Sequence, residues 1–499
     1  MNDNEKKLTL MSLILMIFTS VFGFTNITRA YFLMGYSAIP WYILSALTFF
    51  IPYAFMIAEF GAAFRKETGG IYSWMNKSVN SKYAFIVTFM WYTSYIIWMV
   101  NVSNGIWVPF TNLIFGQDMT SSFAFIGLSA PKVIALLAIL WMLAITFISS
   151  KGLDKIQKVT TVGGTFVALI NVVLIVGAIL VLIFNKFELA QPITATAFTT
   201  SPNAAYQTPL SIFSFLVFAI FAYGGLEVVG GLVDKTENPE KTFPKGITLA
   251  AIVVAVGYSV GILCVGFFSN WSKDLSGDTI NMANVAYLTV GNLGYYLGDS
   301  LNLSQGVCLQ LAMWFSRFVG LSMFLALTGA FFTLIYSPIK QLIEGTPKQI
   351  WPEKLIKLDK NGMPVNAMWV QCFIVVIIIA ITSFGGDTAS KFLDSLILMS
   401  NVAMTLPYIF IALAFIPFKK KEDLDRPFVI FKSKGAVLFA TIIVVITITF
   451  ANVFTIIQPV LENGDYFSTI LQIAGPVIFT VIALFLYGRY ERNYLKKQQ

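Results

Sequence analysis

Runs of about 20 apolar residues return along the whole length of this 499-residue chain, and each is long enough to cross roughly 30 Å of hydrocarbon as a helix. They fall near 9–34, 41–61, 84–113, 132–149, 158–184, 210–233, 246–268, 305–339, 365–384, 392–416, 436–458 and 467–488. Twelve crossings are expected. Barrel strands would instead show segments of about 10 residues with alternating polarity, and these do not dominate here. With 57% hydrophobic and only 12% charged residues, the expected fold class is an all-α polytopic membrane protein, and a soluble helical protein is excluded.

The net charge of +8 raises the question of an anionic partner, and the placement of the charges answers it. Lys6 and Lys7, Arg65 to Lys82, Lys151 to Lys158, Lys235 to Lys245, Lys340 to Lys360, Lys419 to Lys434, and Arg489 to Lys497 all fall in one alternate set of connections. The other set holds only Lys132, Lys186, Lys273 and Lys391, while Arg29 and Arg317 lie within spans. This asymmetry puts both termini in the cytoplasm and turns the basic residues toward anionic lipid, so no nucleic-acid partner is needed. No A-x-A-like site closes the first apolar run, which is expected to be a retained span of a cytoplasmic-membrane protein. With no histidine and with Cys264, Cys308 and Cys372 at unrelated spacings, neither a disulfide framework nor a metal or other cofactor site is indicated.

One stretch departs from plain membrane helix. From Pro209 to Pro244 the chain reads PLSIFSFLVFAIFAYGGLEVVGGLVDKTENPEKTFP. Adjacent glycines at Gly224 and Gly225 weaken a helix by about 1 kcal/mol each, and Glu227 is costly in hydrocarbon, so the sixth span should break at mid-depth. A broken helix offers carbonyls from one half and amides from the other, which suits a ligand carrying both charges. About two hundred residues earlier, span one holds its own cluster, Thr19-Ser20-Val21-Phe22-Gly23-Phe24-Thr25-Asn26. That separation fits five-helix repeats over 8–184 and 209–417, with 435–490 as two peripheral helices. An odd repeat length inverts the second copy and brings the two breaks together.

The expected contacts to a substrate's main-chain groups are Ser20, Gly23 and Thr25 in span one and Tyr223, Gly224 and Gly225 in span six. Glu227 is the expected coupling group, meeting a substrate ammonium or carrying a proton, with a structural acid as the plainer alternative. Arg317, about 18 Å along span eight, needs a partner; Glu227 is nearest by depth, and an anionic substrate group is the rival. Arg29 either snorkels to the exterior or meets an entering carboxylate. Phe221, Trp314 and Phe315 are candidates to close over a ligand, against a default of packing. Glu59, beside Arg65 and Lys66, reads as an inner-surface anchor. Among the connections, Asn281 to Leu297 is amphipathic enough to lie across the outer surface as a lid, and Ser337 to Pro364 forms a structured inner loop.

No H-e-x-x-H or G-x-S-x-G pattern and no acidic pair placed for cleavage occurs, so an enzyme is not expected. The remaining classes are a carrier of a zwitterionic ligand working by alternating access, as exchanger or proton-coupled symporter, and a transporter-fold nutrient sensor. A homodimer through the last two spans is a further expectation.

The segment Phe221-Ala222-Tyr223-Gly224-Gly225-Leu226-Glu227 and the following Glu237-Asn238-Pro239-Glu240-Lys241-Thr242-Phe243-Pro244 resemble the sixth-span signature of the amino acid–polyamine–organocation permeases. Asn361-Gly362-Met363-Pro364-Val365-Asn366-Ala367 resembles that superfamily's inner-loop element. Phe18, Gly35 to Trp41 and Gly69-Gly70-Ile71-Tyr72-Ser73-Trp74 carry the likeness over essentially the whole chain and direct it to the glutamate/GABA antiporter group. The resemblance implies a LeuT-like 5+5 inverted repeat with broken helices one and six, an amino acid substrate, an aromatic gate at Phe221 and a conformationally coupled acid at Glu227. The lysine that some proton-coupled relatives carry in span five has no counterpart, since Val159 to Gly164 reads VTTVGG.

Overall fold

The first apolar run, Leu10–Ala63, is 54 residues long, and at about 1.5 Å per residue it exceeds twice the thickness of a bilayer core. It must fold back on itself. In the computed structural model, which describes residues 7–495 apart from 126 and 386, helices α1 (Leu10–Val21) and α2 (Phe24–Met34) make one crossing. Gly35 then takes a left-handed φ of 57°, and α3 (Ala38–Ser45) and α4 (Ile51–Ala63) make the return. Lys6, Lys496 and Lys497 of the charge pattern lie outside the described residues.

The chain continues through α5 (Gly70–Ser78), α6 (Ser81–Gly105), α7 (Trp107–Phe115), α8 (Ala130–Ser149), α9 (Leu153–Phe184) and α10 (Pro209–Phe221). Then come a 3-10 stretch (Leu226–Lys235), α11 (Pro239–Phe268), α12 (Trp271–Asp274), α13 (Val285–Ser300) and α14 (Gln305–Gly345). Last are α15 (Glu353–Ile356), α16 (Val365–Phe384), α17 (Asp387–Lys420), α18 (Lys434–Asn463) and α19 (Tyr466–Tyr490). Isolated bridges are the only β pairing among the described residues. Among the described residues eleven helical runs are long and apolar enough to span, and the first of them supplies two crossings, which restores the expected twelve.

Glycines along α11 record the fold-back. Gly246 faces Leu13, Gly257 faces Phe22, Gly261 faces Ile27 and Gly266 faces Tyr36, so α1 and α2 run alongside α11 from end to end. Gly61, near the end of α4, is back against Phe243 at the start of α11. Span five is fitted just as closely. A Cβ on Gly164 would overlap the Leu15 carbonyl, and one on Gly163 would come 2.6 Å from the Leu325 carbonyl, so the glycine pair of the VTTVGG segment lets α9 touch both α1 and α14.

The basic connections gather at one end. Leu8 exchanges backbone bonds with Lys235 and Glu237, Gly69 lies against Gly345, Asn361 donates to the Lys151 carbonyl and Lys82 pairs with Glu491. Glu59 does anchor this end, but its partners are not its sequence neighbours. It is buried at the end of α4, bonded to Lys419 at 2.7 Å and to the amides of Ile430 and Phe431 at 2.8 Å, while Arg65 pairs with Asp425. At the other end α13 forms the expected helix, packed on α14, α9 and α2. Span eight runs further than its sequence suggested. Pro338 does not end it, and α14 continues to Gly345, because Ser337, Lys340 and Gln341 there are committed to a neighbouring backbone.

Candidate functional site

Both expected breaks are present. Span one leaves helical geometry at Phe22 and Gly23, whose ψ angles are 76° and 96°, before α2 begins. Span six leaves it after Ala222, with Gly225 at φ 106°, and resumes as a ten-residue 3-10 stretch rather than an α-helix. A 3-10 run of that length is uncommon and is sustained only by outside support. The two breaks meet: a Cβ on Gly225 would lie 2.7 Å from the Ser20 carbonyl oxygen. Ser20, Gly23, Thr25, Gly224 and Gly225 are half-buried, whereas Tyr223 and Glu227 are buried.

Tyrosine hydroxyls hold the broken ends. Tyr258 of α11 accepts from the Gly23 amide at 2.9 Å and from Asn26 at 3.3 Å, and shares its one proton between the carbonyls of Val21 (3.0 Å) and Ala222 (3.1 Å). One side chain thus bridges both breaks. Tyr408 of α17 accepts from the Gly225 amide at 3.0 Å and faces Glu227 Oε1 at 3.4 Å. Tyr223 points away from this meeting point. It stacks on Phe50 with ring centres 4.7 Å apart, and its hydroxyl donates to the Tyr42 carbonyl.

Glu227 sits just beyond the break, in a cage of donors. Oε1 accepts from Trp91 Nε1 at 2.9 Å and from the Tyr95 hydroxyl at 3.1 Å, in addition to Tyr408, while Oε2 is buried without a partner. The cage contains no basic side chain, and the expected pairing with Arg317 is not what the structure shows. Contacts along α14 place Gly329 beside Thr19 and Ser337 beside Val228, so the breaks lie at least roughly twelve residues, about 18 Å, inward of Arg317. Arg317 instead lies over the Trp314 ring at 5.2 Å and against Gly116.

The other outer candidates are also remote from the breaks. Trp314 is 60% exposed on the outer flank of α14, and Phe315 is packed under Gly294 of α13. Arg29 donates to the Met282 carbonyl at 2.8 Å and so ties α2 to the turn before α13. Phe221 ends α10, half-buried, with its carbonyl accepting from the Gly224 amide.

The support for the 3-10 stretch comes from one face of α14. Ser337 and Gln341 both donate to the Val228 carbonyl, and Lys340, fully buried, donates to the Gly231 carbonyl and pairs with Asp234. Gln341 also accepts the Ile71 amide at 2.8 Å, which ties in α5. Spacing of three and four residues puts these side chains on one stripe of helix. Neither this stripe nor Tyr258, Trp91, Tyr95 and Tyr408 was singled out from sequence. The available signal was polar or indole-bearing residues inside otherwise apolar spans, a signal shared by many residues in a chain with 20 tyrosines and 10 tryptophans.

Comparison with known proteins places the chain in a family. A family model described as amino acid permease matches residues 8–483. The inner membrane transporter YjeM of Escherichia coli (strain K12) is 55% identical over 99% of this chain and 98% of its own length. More distant are the aspartate/glutamate permease AcaP of Lactococcus lactis, 25% identical over 83% of this chain and 80% of its own. A glutamate/gamma-aminobutyrate antiporter of the same species is 21% identical over 95% and 91%. A twelve-crossing, all-helical chain whose first and sixth spans break against each other, matched over residues 8–483 by that model, belongs to the amino acid permease family: it is a membrane transporter and not an enzyme.

Proposed function

We propose that the protein exchanges amino acids or close derivatives across the cytoplasmic membrane by alternating access. The observation that carries this reading is the meeting of two interrupted spans whose amides, Gly23 and Gly225, are held by tyrosine hydroxyls and not by helix. Such bonds can be traded for those of an incoming zwitterion at little net cost, since each is worth only about 1 kcal/mol in exchange. Ser20, Gly23 and Thr25 then hold one end of the substrate and the backbone of Tyr223, Gly224 and Gly225 the other, with Phe221 closing over it. The five-helix units 8–184 and 209–417 rock about this point, and 435–490 stays outside it. Both termini face the cytoplasm, with the basic connections against anionic lipid except where Lys340 is buried on Asp234 and Lys419 on Glu59. A second copy, if one associates, docks along α18 and α19, whose outer faces carry Phe439 and Phe485.

Glu227 couples occupancy to movement, because its cage draws on α6 and α17 as well as on the break itself. The rival coupling, proton symport, is favoured by the same observation: an acid with no basic partner and one free oxygen can carry a proton. Counterflow in liposomes separates the readings. Exchange predicts uptake of labelled amino acid stimulated by unlabelled amino acid inside and indifferent to a proton gradient. Uptake driven by the gradient into empty vesicles would give the symporter, and binding without flux the sensor.

A further inference from the structure

A cavity of about 550 Å³ opens at the end of the molecule opposite the basic connections, between α7, the turn before α13, α13 itself and α14. Val108, Leu288 and Met313 give it an apolar wall. Its remaining lining is polar: the carboxamide residues Asn112, Gln117, Asn281, Asn284 and Asn292, the hydroxyl residues Ser316 and Tyr287, and one acid, Asp118. Tyr287 is 6% exposed, yet its hydroxyl has no hydrogen-bond partner. Buried hydroxyls are almost always satisfied, so an orphan on a cavity wall points to a group that enters the cavity. Asp118 uses Oδ1 to accept from the backbone and hydroxyl of Thr120, which leaves Oδ2 open. No lysine or arginine lines the space. Of the cations beside it, Arg29 donates through Nε to the Met282 carbonyl, and Arg317 lies over the Trp314 ring with its Nε buried beside Gly116 and without a hydrogen-bond partner.

We propose that this cavity is a second binding site, which takes the ammonium group of a small primary amine or amino acid. Asp118 supplies the charge, Tyr287 a hydrogen bond, and the apolar wall the complement to a short alkyl portion. An anion of the same size meets the Asp118 carboxylate and is disfavoured by its charge. The site lies outside the breaks but is not isolated from them. Met282, whose carbonyl holds Arg29 of α2, stands in the turn between the lining residues Asn281 and Ala283, so a ligand that orders this rim acts on the outer half of span one.

The site is independent of whether the protein exchanges amino acids, and its test measures binding alone. Full-length protein in nanodiscs is titrated with butylammonium and with butyrate, followed by saturation-transfer NMR. Butylammonium binds and butyrate does not. Asp118→Asn, at an exposed position, weakens butylammonium about tenfold, the effect of one lost charge-assisted bond, with an unchanged melting temperature. Tyr287→Phe weakens it severalfold. Equal binding of butyrate, or butylammonium affinity unmoved by both Asp118→Asn and Tyr287→Phe, overturns the proposal. Competition by amino acids then separates two sources of the same chemistry. Displacement that needs Asp118 marks a stage on the transport path, and no displacement marks a separate amine.

Discussion

Tyr258 and Glu227 show how much a single side chain can decide in this fold. Tyr258 touches three backbone groups on two different breaks, and removing its hydroxyl leaves buried amide and carbonyl groups short of partners. Tyr258→Phe should lower stability by about 1–3 kcal/mol, read as a fall in melting temperature in detergent, and should reduce exchange more than a control such as Tyr206→Phe at the periphery. Glu227→Gln keeps the shape but brings two N–H donors into a cage already built of donors from Trp91, Tyr95 and Tyr408. We expect folded protein with exchange slowed about tenfold or more and its pH dependence flattened; a variant with the parental rate and pH profile would remove Glu227 from the coupling. The acid itself was legible in sequence, because a carboxyl inside an apolar span is conspicuous. Its partners were not, because three aromatic residues out of 76 carry no mark of which acid they will face.

Among the elements, the 3-10 stretch and α14 behave as one body. The carbonyls that a 3-10 helix leaves poorly bonded are taken up by Ser337, Lys340 and Gln341, so motion in span six is concentrated at Gly224 and Gly225 and not further along. Lys340→Met should strand Asp234 and the Gly231 carbonyl and cost about 3–5 kcal/mol, whereas adding Asp234→Leu should recover much of the loss. Thermal unfolding of the single and double variants checks both. Gly164→Ala should fail differently: its Cβ would overlap the Leu15 carbonyl, and backbone cannot step aside as a side chain can, so poor expression is expected where Gly306→Ala, in open space, is tolerated. The breaks could be read from glycine and an acid in apolar surroundings. The depth of Arg317 could not, because counting along one helix gives position on its own axis and not the register of the helix beside it.

For the whole molecule, the count of crossings and the shared end of the basic connections followed from hydropathy and charge alone, which act over lengths far greater than any one contact. The inner clasp did not, since Glu59 is joined to Lys419, Ile430 and Phe431 across more than 350 residues of chain. Orientation has a direct test. In intact cells, Ser272→Cys should react with a membrane-impermeant maleimide and Glu422→Cys only after permeabilisation, the native Cys264, Cys308 and Cys372 being buried. The bond pair between Leu8 and the residues flanking Thr236 has a practical corollary for anyone handling the protein. A bulky fusion at the amino end would load the inner end of the body that swings on Gly224 and Gly225, so affinity handles and fluorescent reporters belong at the carboxyl end, and turnover measured with a front-end fusion should be slower.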